Sequence, residues 1–162
     1  MQGKDPKEIR ERTCIKEAIL EMLARHNTMS LATSRDNCPF ASSLFYANNG
    51  FTIYFLSSPR SQHSINIYRN PQVAITINKD YTEWREIKGL QIRGKAYTVP
   101  KEEIPIAVRV YSEKYPFFKL LPLESNLALR LAGVEFFKVV PEVVRLINNE
   151  MGFGYKVELR IE

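Results

Sequence analysis

The amino-acid sequence predicts a mainly β fold, an antiparallel β-barrel with helical additions. Two observations carry this prediction. Seven or eight short segments alternate apolar and polar residues between turn signals, and only a few segments show the apolar spacing of a helix. A barrel is favoured over an open sheet because closure removes exposed strand edges. The chain has 162 residues, the size of one domain, so we expect a single unit over residues 1–162.

The first element is an amphipathic helix over about residues 5–25. Asp5 can cap its N-terminus, and Pro6 suits the first helical position. Its apolar face recurs at helical spacing, at Ile15, Ala18, Ile19, Met22 and Leu23. The opposite face is charged, so we expect it to lie in solvent.

Three antiparallel strands follow the helix. The first covers residues 28–34 and ends in a turn at Arg35–Asn37. The second and third cover residues 40–47 and 51–57, on either side of Asn48-Asn49-Gly50. An Asn-Gly pair at a tight connection is a strong hairpin signal because both residues tolerate positive φ.

The middle of the chain combines a short helix with two strands. The helix covers residues 61–69 and is ended by an Asn-Pro pair. The strands cover residues 72–78 and 86–99. Gly89 and Gly94 in the longer strand indicate a bulge or the close approach of another backbone.

The last third of the chain predicts a helix over residues 101–115 and a region of helix and loop over residues 116–133. Pro141 is expected to break the β-rich stretch that follows, because proline cannot donate to a sheet ladder. The strands predicted there cover residues 134–140, 142–147 and 155–161.

Charge and cysteine content exclude several classes of protein. The net charge of +5 suits a phosphate-bearing partner but is too small to indicate a nucleic acid, and no RNA- or DNA-binding motif is present. Cys14 and Cys38 lack metal-ligand spacing, so we expect free thiols and no metal site. The sequence has no signal peptide and no apolar run long enough for a membrane. We therefore expect a cytoplasmic protein.

The distribution of acidic residues is uneven, with none from Asn37 to Lys79. This interval contains a polar turn, Ser57-Ser58-Pro59-Arg60-Ser61-Gln62-His63-Ser64, directly before the short helix. The first N–H groups of a helix lack intrahelical acceptors and lie at the positive end of its dipole. Hydroxyl and guanidinium groups beside them are donors that bind phosphate. The turn predicts a phosphate site, whereas burial of the strands explains the rest of the interval equally well.

Several residues allow two interpretations. His63 pairs with phosphate when protonated, or is a surface histidine at a helix start. Trp84 stacks on a flat ring, or anchors its loop in the core. The Gly152–Gly154 segment lets the backbone approach a ligand, or is a glycine turn before the last strand. Because the sequence has no nucleophile motif, P-loop or dinucleotide-binding fingerprint, acyl transfer and nucleotide chemistry are not expected.

The order of several segments is that of a known family: TMSLATS, FASSLFYANNGFTIYFLSS, SQHSINIYRNPQVAITI and WREIKGLQIRGKA. In this order the chain resembles the FMN-binding split barrels related to pyridoxamine 5'-phosphate oxidase. It is most similar to their YhbP-like branch, which shares IKGLQIRG, YSEKYP and a tail like NNEMGFGYKVELR. The resemblance implies an antiparallel split barrel of Greek-key type that forms a homodimer, with FMN bound at the subunit interface.

The resemblance also implies which residues contact FMN. Those along the isoalloxazine edge would be Ser42, Ser43 and Leu44. Those flanking the ribityl chain would be Leu56, Ser57 and Ser58. Those holding the phosphate would be Arg60, Ser61, Gln62 and His63. Those approaching from the partner subunit would be Trp84, Lys88 and Gly89.

The chain departs from the oxidase at three places, one of which is Ala41-Ser42, where the oxidase has an Arg on the strand. Gln62 and His63 stand where the oxidase has Arg and Lys, and a charge-assisted contact is worth about 1.5–3 kcal/mol. The GFGYK tail replaces the Trp and Arg pattern that binds substrate, so vitamin B6 oxidation is not expected. The resemblance thus implies an FMN-dependent oxidoreductase acting on an unidentified small molecule. The alternative is a non-catalytic flavin- or heme-binding protein of the same fold. No catalytic side chain is named, because the cofactor carries the redox step.

Overall fold

The computed structural model describes residues 6–120, 128–129 and 132–161. The α-helices with bounds in these ranges are α1 (Pro6–Arg25), α2 (Gln62–Arg69) and α3 (Ile104–Lys114). The strands are β1 (Thr28–Arg35), β2 (Cys38–Phe45), β3 (Ala47–Asn49), β4 (Thr52–Ser57), β5 (Gln72–Asn78), β6 (Lys88–Thr98), β7 (Glu135–Asn148) and β8 (Lys156–Arg160). Short 3-10 turns cover Trp84–Glu86, Lys101–Glu103, Pro116–Leu120 and Asn149–Met151.

The strands form one antiparallel sheet in the order β2-β1-β5-β6-β7-β4-β3, with β8 paired to β7. β2 and β3 lie at opposite ends of this order, yet Tyr46 alone separates them in the chain. Because neighbouring Cα atoms are about 3.8 Å apart, the two ends of the sheet must meet in space. The sheet therefore curls into a split barrel, as the sequence predicts.

Burial follows strand geometry. Every second residue is buried from Met29 to Thr33 in β1 and from Val73 to Ile77 in β5, since successive side chains point to opposite faces. The larger part of the core fills the barrel and is closed by Ile19 and Leu23 of α1. A smaller part lies beneath α3 around Tyr111. On β1 and β5 the opposite face carries small and polar side chains, such as Ser30, Ala32 and Thr76.

The C-terminus of α1 is anchored by Lys114 of α3. Its Nζ donates to the carbonyl oxygens of Leu23 at 3.1 Å and His26 at 2.6 Å, and it lies 4.0 Å from the centroid of the Tyr46 ring. Carbonyl groups in the last turn of a helix need such external donors. Burial lowers the pKa of Lys114 to about 8. The contact fixes the end of α1 against the barrel.

The expected break at Pro141 is wrong, because β7 runs through this residue. Pro141 lies opposite Gly94, at a register shift between Arg93 and Gly94. Such a bulge removes the requirement for a ladder donor. A Cβ atom on Gly94 would lie 2.3 Å from the carbonyl oxygen of Val140, which confirms the close approach expected there.

The hairpin turns differ from the expectation by one residue. Asn49 pairs with Thr52, so the loop is Gly50–Phe51, and Gly50 has φ of 57°. The two consecutive positive-φ residues are instead Asp36 and Asn37, between β1 and β2. The strand expected over residues 40–47 is divided at Tyr46, where the chain crosses from one end of the sheet to the other.

Three further expectations concern the surface. Cys14 and Cys38 are exposed and unpaired with each other. Within the described ranges, three or more His, Cys, Asp or Glu side chains nowhere form a group suited to a metal ion. The helices of this part of the chain are too short or too polar to cross a membrane.

Candidate functional site

Three elements and one turn meet around the imidazole of His63. Ser42 comes from β2, Ser57 ends β4, and Ser61 is the N-cap of α2. His63 and Ser64 lie in the first turn of that helix. We call these five residues the serine–histidine cluster.

Both ring nitrogens of His63 have hydroxyl partners. Nδ1 lies 3.0 Å from Ser42 Oγ, and Nε2 lies 2.6 Å from Ser57 Oγ and 2.9 Å from Ser61 Oγ. Ser61 Oγ in turn lies 3.1 Å from Ser57 Oγ and 2.8 Å from Ser64 Oγ. The cluster is therefore one continuous network linking β2, β4 and α2.

The local sequence explains this placement. Ser61 has an extended backbone, with φ of −68° and ψ of 154°, and its side chain accepts from the Ser64 N–H as an N-cap. This turn directs His63 inward, where its ring forms a T-shaped contact with the Phe55 ring at a centroid distance of 6.3 Å. His63 is 7% exposed, which excludes the surface-histidine interpretation.

The protonation of the cluster depends on the burial of His63, and no carboxylate is among the causes of its pKa shift. Burial lowers the pKa of His63. A neutral imidazole donates through one nitrogen and accepts through the other, whereas an imidazolium donates through both. At neutral pH the cluster is a set of neutral donors and acceptors, and protonation would convert it into a cationic donor set beside a helix N-terminus.

The contact between Ser57 and His63 has the distance of a nucleophile–base pair, but its surroundings differ from a catalytic triad. In a triad the second ring nitrogen faces a carboxylate that orients the ring. Here it faces the Ser42 hydroxyl, and the interval from Asn37 to Lys79 has no acid. The arrangement is better suited to donating hydrogen bonds to an anion than to activating a serine.

Of the residues expected at the phosphate or ribityl chain, two have other partners and a third is exposed. Gln62 Nε2 donates to Asn66 Oδ1 at 2.8 Å, and Asn66 donates to Thr33 at 3.0 Å. Ser58 Oγ accepts from the backbone N–H of Arg60 at 3.2 Å. Arg60 is exposed, and its guanidinium has no ion pair among the residues that the structure describes. The Gln62 amide and Ser58 hydroxyl thus lie outside the network.

The expected isoalloxazine and ribityl residues divide between two faces. Ser43 is exposed, on the face of β2 opposite to Ser42, because side chains alternate along a strand. Leu44 packs against the barrel core and Leu56 against the core beneath α3.

Trp84, Lys88 and Gly89 lie in another region. Across the sheet from β2 to β6, Ser42 of β2 pairs with Leu31 of β1. Leu31 pairs with Ile75 of β5, and Ile75 pairs with Ile92 of β6. Gly89 is therefore three strands and three residues away from Ser42, roughly 15–20 Å along the sheet surface. One chain does not bring these residues to the cluster, so their predicted approach from a partner subunit stays a prediction.

The contacts of these residues are local. Trp84 is 44% exposed, its ring meets Phe153 edge-on at 5.3 Å, and Arg85 lies 4.5 Å from its centroid. Lys88 pairs with Glu150 at 2.7 Å. Trp84 is thus not anchored in the core, and its stacking on the ring of a ligand stays a prediction. Phe153 is 84% exposed, so the GFG segment presents an aromatic side chain to solvent.

A concave region that no sequence motif indicates lies between α1 and the adjoining ends of the strands. It includes His26, Lys79, Tyr81 and Lys88 and encloses about 500 Å³. These residues are far apart in the chain and share no motif. The available signal is the interval without acidic residues from Asn37 to Lys79, which ends at the edge of this cleft.

Comparison with known proteins supports the family assignment. The family model described as "Pyridoxamine 5'-phosphate oxidase" matches residues 15–148. A UPF0306 protein from Photorhabdus laumondii is 24% identical over 143 residues, which is 87% of this chain and 92% of the relative. The UPF0306 protein YhbP from Escherichia coli O157:H7 is 22% identical, with 86% of this chain and 89% of the relative covered.

Solved structures with the same fold have different names. A putative pyridoxamine 5'-phosphate oxidase from Listeria innocua is 23% identical, with a TM-score of 0.67 and coverage of 83% of this chain and 98% of that one. A heme-binding protein from Mycobacterium smegmatis is 18% identical, with a TM-score of 0.72 and coverage of 90% and 57%. A FAD-binding protein from Mesorhizobium loti is 19% identical, with a TM-score of 0.62 and coverage of 79% and 90%.

At these identities the structures show the shared fold alone, whereas the family model spans most of the chain. The split barrel and the UPF0306 relatives agree with the family model. The chain therefore belongs to the pyridoxamine 5'-phosphate oxidase family, and within it the chain is similar to the UPF0306 proteins that include YhbP.

Proposed function

We propose that this protein is a homodimeric, cytoplasmic FMN-binding flavoprotein that acts as an oxidoreductase on a small molecule. The observation that carries the proposal is the serine–histidine cluster at the start of α2. The cluster offers hydroxyl donors, an ionisable ring and a helix N-terminus, with no carboxylate to repel a phosphate. The exposed, unpaired thiols of Cys14 and Cys38 support a reducing compartment.

The residues present fit a phosphate group once the network opens. Ser57 and Ser61 now bond to His63 and to each other, so an incoming phosphate would replace these internal contacts. Protonated His63 would supply the charge that Arg and Lys supply in the oxidase. Arg60 is exposed one residue before the N-cap, and its guanidinium is a second candidate for the same phosphate.

The protein's part in the reaction is to hold and orient the cofactor. When bound, FMN supplies transfer of a hydride or of single electrons through its isoalloxazine ring. His63 would hold a proton at the phosphate, and Ser42 and Ser57 would fix the orientation of its ring. The described cluster contains no acid that would act as a proton carrier at the ring, which leaves non-catalytic binding as the alternative.

The named structural neighbours support a flavin or heme ligand without choosing between them. One is called FAD-binding and another heme-binding. The cluster favours FMN over heme because it groups donors for a terminal phosphate. Both nitrogens of His63 are occupied by serine hydroxyls, which disfavours His63 as an iron ligand.

The decisive test is titration of the purified protein with FMN, followed by flavin fluorescence and absorbance. We expect saturable binding and a weaker affinity in Ser61→Ala and His63→Ala, by about tenfold or more for the charged contact. Ser112→Ala, which changes a serine on α3 away from the cluster, is the matched control. Unchanged FMN fluorescence, or equal affinity in all three variants, would refute the site.

Two further measurements separate the alternatives. Anaerobic reduction of bound flavin by NADH or NADPH, followed by turnover with an acceptor, would support an oxidoreductase, and bound flavin that is not reduced would favour a binding protein. A Soret band on titration with heme, with no binding of FMN, would favour the heme alternative. Light scattering should give a mass of about two chains, and a monomer that binds FMN fully would contradict the interface site.

A further inference from the structure

The cleft beside α1 is separate from the serine–histidine cluster and encloses about 500 Å³, within the range of small-molecule pockets. We call it the α1 cleft. Its lining is formed by Ala18, Glu21, Met22, Arg25, His26, Lys79, Tyr81, Lys88, Leu146 and Asn148. Ala18, Met22 and Leu146 make an apolar wall, and cationic side chains surround it. A cleft of this composition suits a ligand with an apolar body and a negative charge.

Two of the cations are neutralised by neighbours and one is not. Arg25 pairs with Glu21 at 3.1 Å, and Lys88 pairs with Glu150 at 2.7 Å. Lys79 has no carboxylate within ion-pair distance among the described residues. Its Nζ lies 4.9 Å from the centroid of the Tyr81 ring. An ammonium group held against an aromatic ring is ready to receive an anion.

The rim of the cleft is held in place rather than loose. Tyr81 donates its hydroxyl to the carbonyl oxygen of Lys88 at 3.0 Å, which joins the loop after β5 to the start of β6. Lys114 holds the carbonyl oxygen of His26, which fixes the end of α1. Both walls are therefore anchored by hydrogen bonds, and little ordering is needed when a ligand binds.

His26 lines the α1 cleft and lies near several cationic side chains. It is half-buried at the end of α1 and faces cations from three elements: Arg25 of α1, Lys114 of α3 and Lys79 after β5. The nearest acid on its own helix is Glu21, which is already paired with Arg25. Burial first, and then these cations, lower the pKa of His26. Because Lys79 has no carboxylate partner among the described residues, the lining of the α1 cleft carries a net positive charge.

We infer that the α1 cleft binds a small organic anion, with its charged oxygens on Lys79 and His26 and its apolar body against Met22 and Leu146. The ligand class is a carboxylate or a phosphate monoester on an apolar or aromatic body. The site requires nothing from the serine–histidine cluster; of its lining residues, Lys88 is also one that the resemblance places beside FMN of a partner subunit, so the ligand contacts are assigned to Lys79 and His26.

The two histidines of the chain allow each site to be observed separately. The experiment titrates histidine-labelled, full-length protein with benzoate, phenyl phosphate and neutral benzyl alcohol, and follows the ring signals by NMR. We expect benzoate, phenyl phosphate or both to shift the His26 signals saturably, while benzyl alcohol binds more weakly. Saturation with one anion alone identifies the ligand group as carboxylate or phosphate and supports the site.

The matched variants are Lys79→Gln in the cleft and Lys101→Gln, which removes an exposed lysine in a 3-10 turn elsewhere. We expect Lys79→Gln to weaken the affinity about three- to tenfold and Lys101→Gln to leave it unchanged. Three results would overturn the inference: no saturable shift of His26 up to about 10 mM anion, equal binding of benzyl alcohol, or an equal effect of both variants. A shift of His63 alone would overturn it too, while leaving the FMN proposal intact.

Discussion

The serine–histidine cluster and the α1 cleft would both receive an anion, but they are built from opposite kinds of group. In the cluster His63 and Ser64 are buried and the other three serines are half-buried, and its hydroxyls and neutral ring are hydrogen-bonded to one another. The α1 cleft is open, and cationic side chains surround it. Buried neutral donors act through geometry at short range, whereas exposed charges act through a field that salt screens within about 8 Å at physiological ionic strength.

Because of this difference, we expect the cluster to determine which ligand binds tightly and the cleft to attract anions without strong discrimination. Hydrogen bonds from fixed donors discriminate by the position of each oxygen, and leaving one unmade costs the full desolvation of a buried group. A field from lysine and arginine side chains attracts any anion and contributes less per contact. We therefore expect changes in the cluster to have large effects on stability and ligand choice, and changes in the cleft to have small effects on stability.

The largest expected effect is on folding. His63→Ala leaves the hydroxyls of Ser42 and Ser57 without their buried partner and creates a cavity, so the free energy of unfolding should fall by about 2–3 kcal/mol. His26→Ala, at the half-buried end of α1, should cost about 1 kcal/mol or less. Urea denaturation of both variants checks this. Equal decreases in the free energy of unfolding would mean that His63 contributes no more to stability than His26 does.

The second effect is the pH dependence of FMN affinity. Burial lowers the pKa of His63 in the free protein, and a bound phosphate would raise it by favouring the imidazolium. A proton is therefore taken up on binding, so affinity should rise as pH falls between the two pKa values, by at most about tenfold per pH unit. Fluorescence titrations from pH 8 to pH 5.5 check the slope. His63→Gln should give a flat profile, and a slope retained in that variant would assign the proton elsewhere.

The sequence predicted the framework better than the site, for physical reasons. Strand period, the capping serine and the proline at a helix start act locally, so α2 and β5 lie where the pattern places them. Pro141 misled the analysis because its tolerance depends on Gly94, a distant residue that forms the bulge. The effect of a proline on a strand is predicted wrongly when the residue that accommodates it lies on a neighbouring strand.

The site shows the same limit. Ser57, Ser61 and His63 are close in sequence, so the turn alone brings them near one another, as the structure shows. Ser42 joins them from β2, at 3.0 Å from His63, only after the sheet has curled. Gln62 was expected at the phosphate by its place in the turn, yet the helix directs its side chain to Asn66 instead. Neighbours in sequence share a helix without sharing a face.

The third effect is on the pKa values of the two histidines as salt is added. The pKa of His26 is lowered partly by three cations, whose influence is screened, so it should rise from low salt to about 0.5 M NaCl. The pKa of His63 is lowered by burial alone, so it should not move. NMR titrations at both salt concentrations measure the two curves in one sample. A parallel rise of both would contradict the division into a charged and a neutral region.

The smallest effect isolates one cation of the cleft. Lys79→Gln removes one of the three charges that lower the pKa of His26, so this pKa should rise, while that of His63 should be unchanged. Arg25→Gln should raise the pKa of His26 more, because Arg25 has the larger influence and its loss also leaves Glu21 unpaired. The NMR titration of His26 ranks the variants, with Lys101→Gln as the control. A pKa of His26 that falls in Lys79→Gln would show that Lys79 does not contribute to the field that would draw an anion into the α1 cleft.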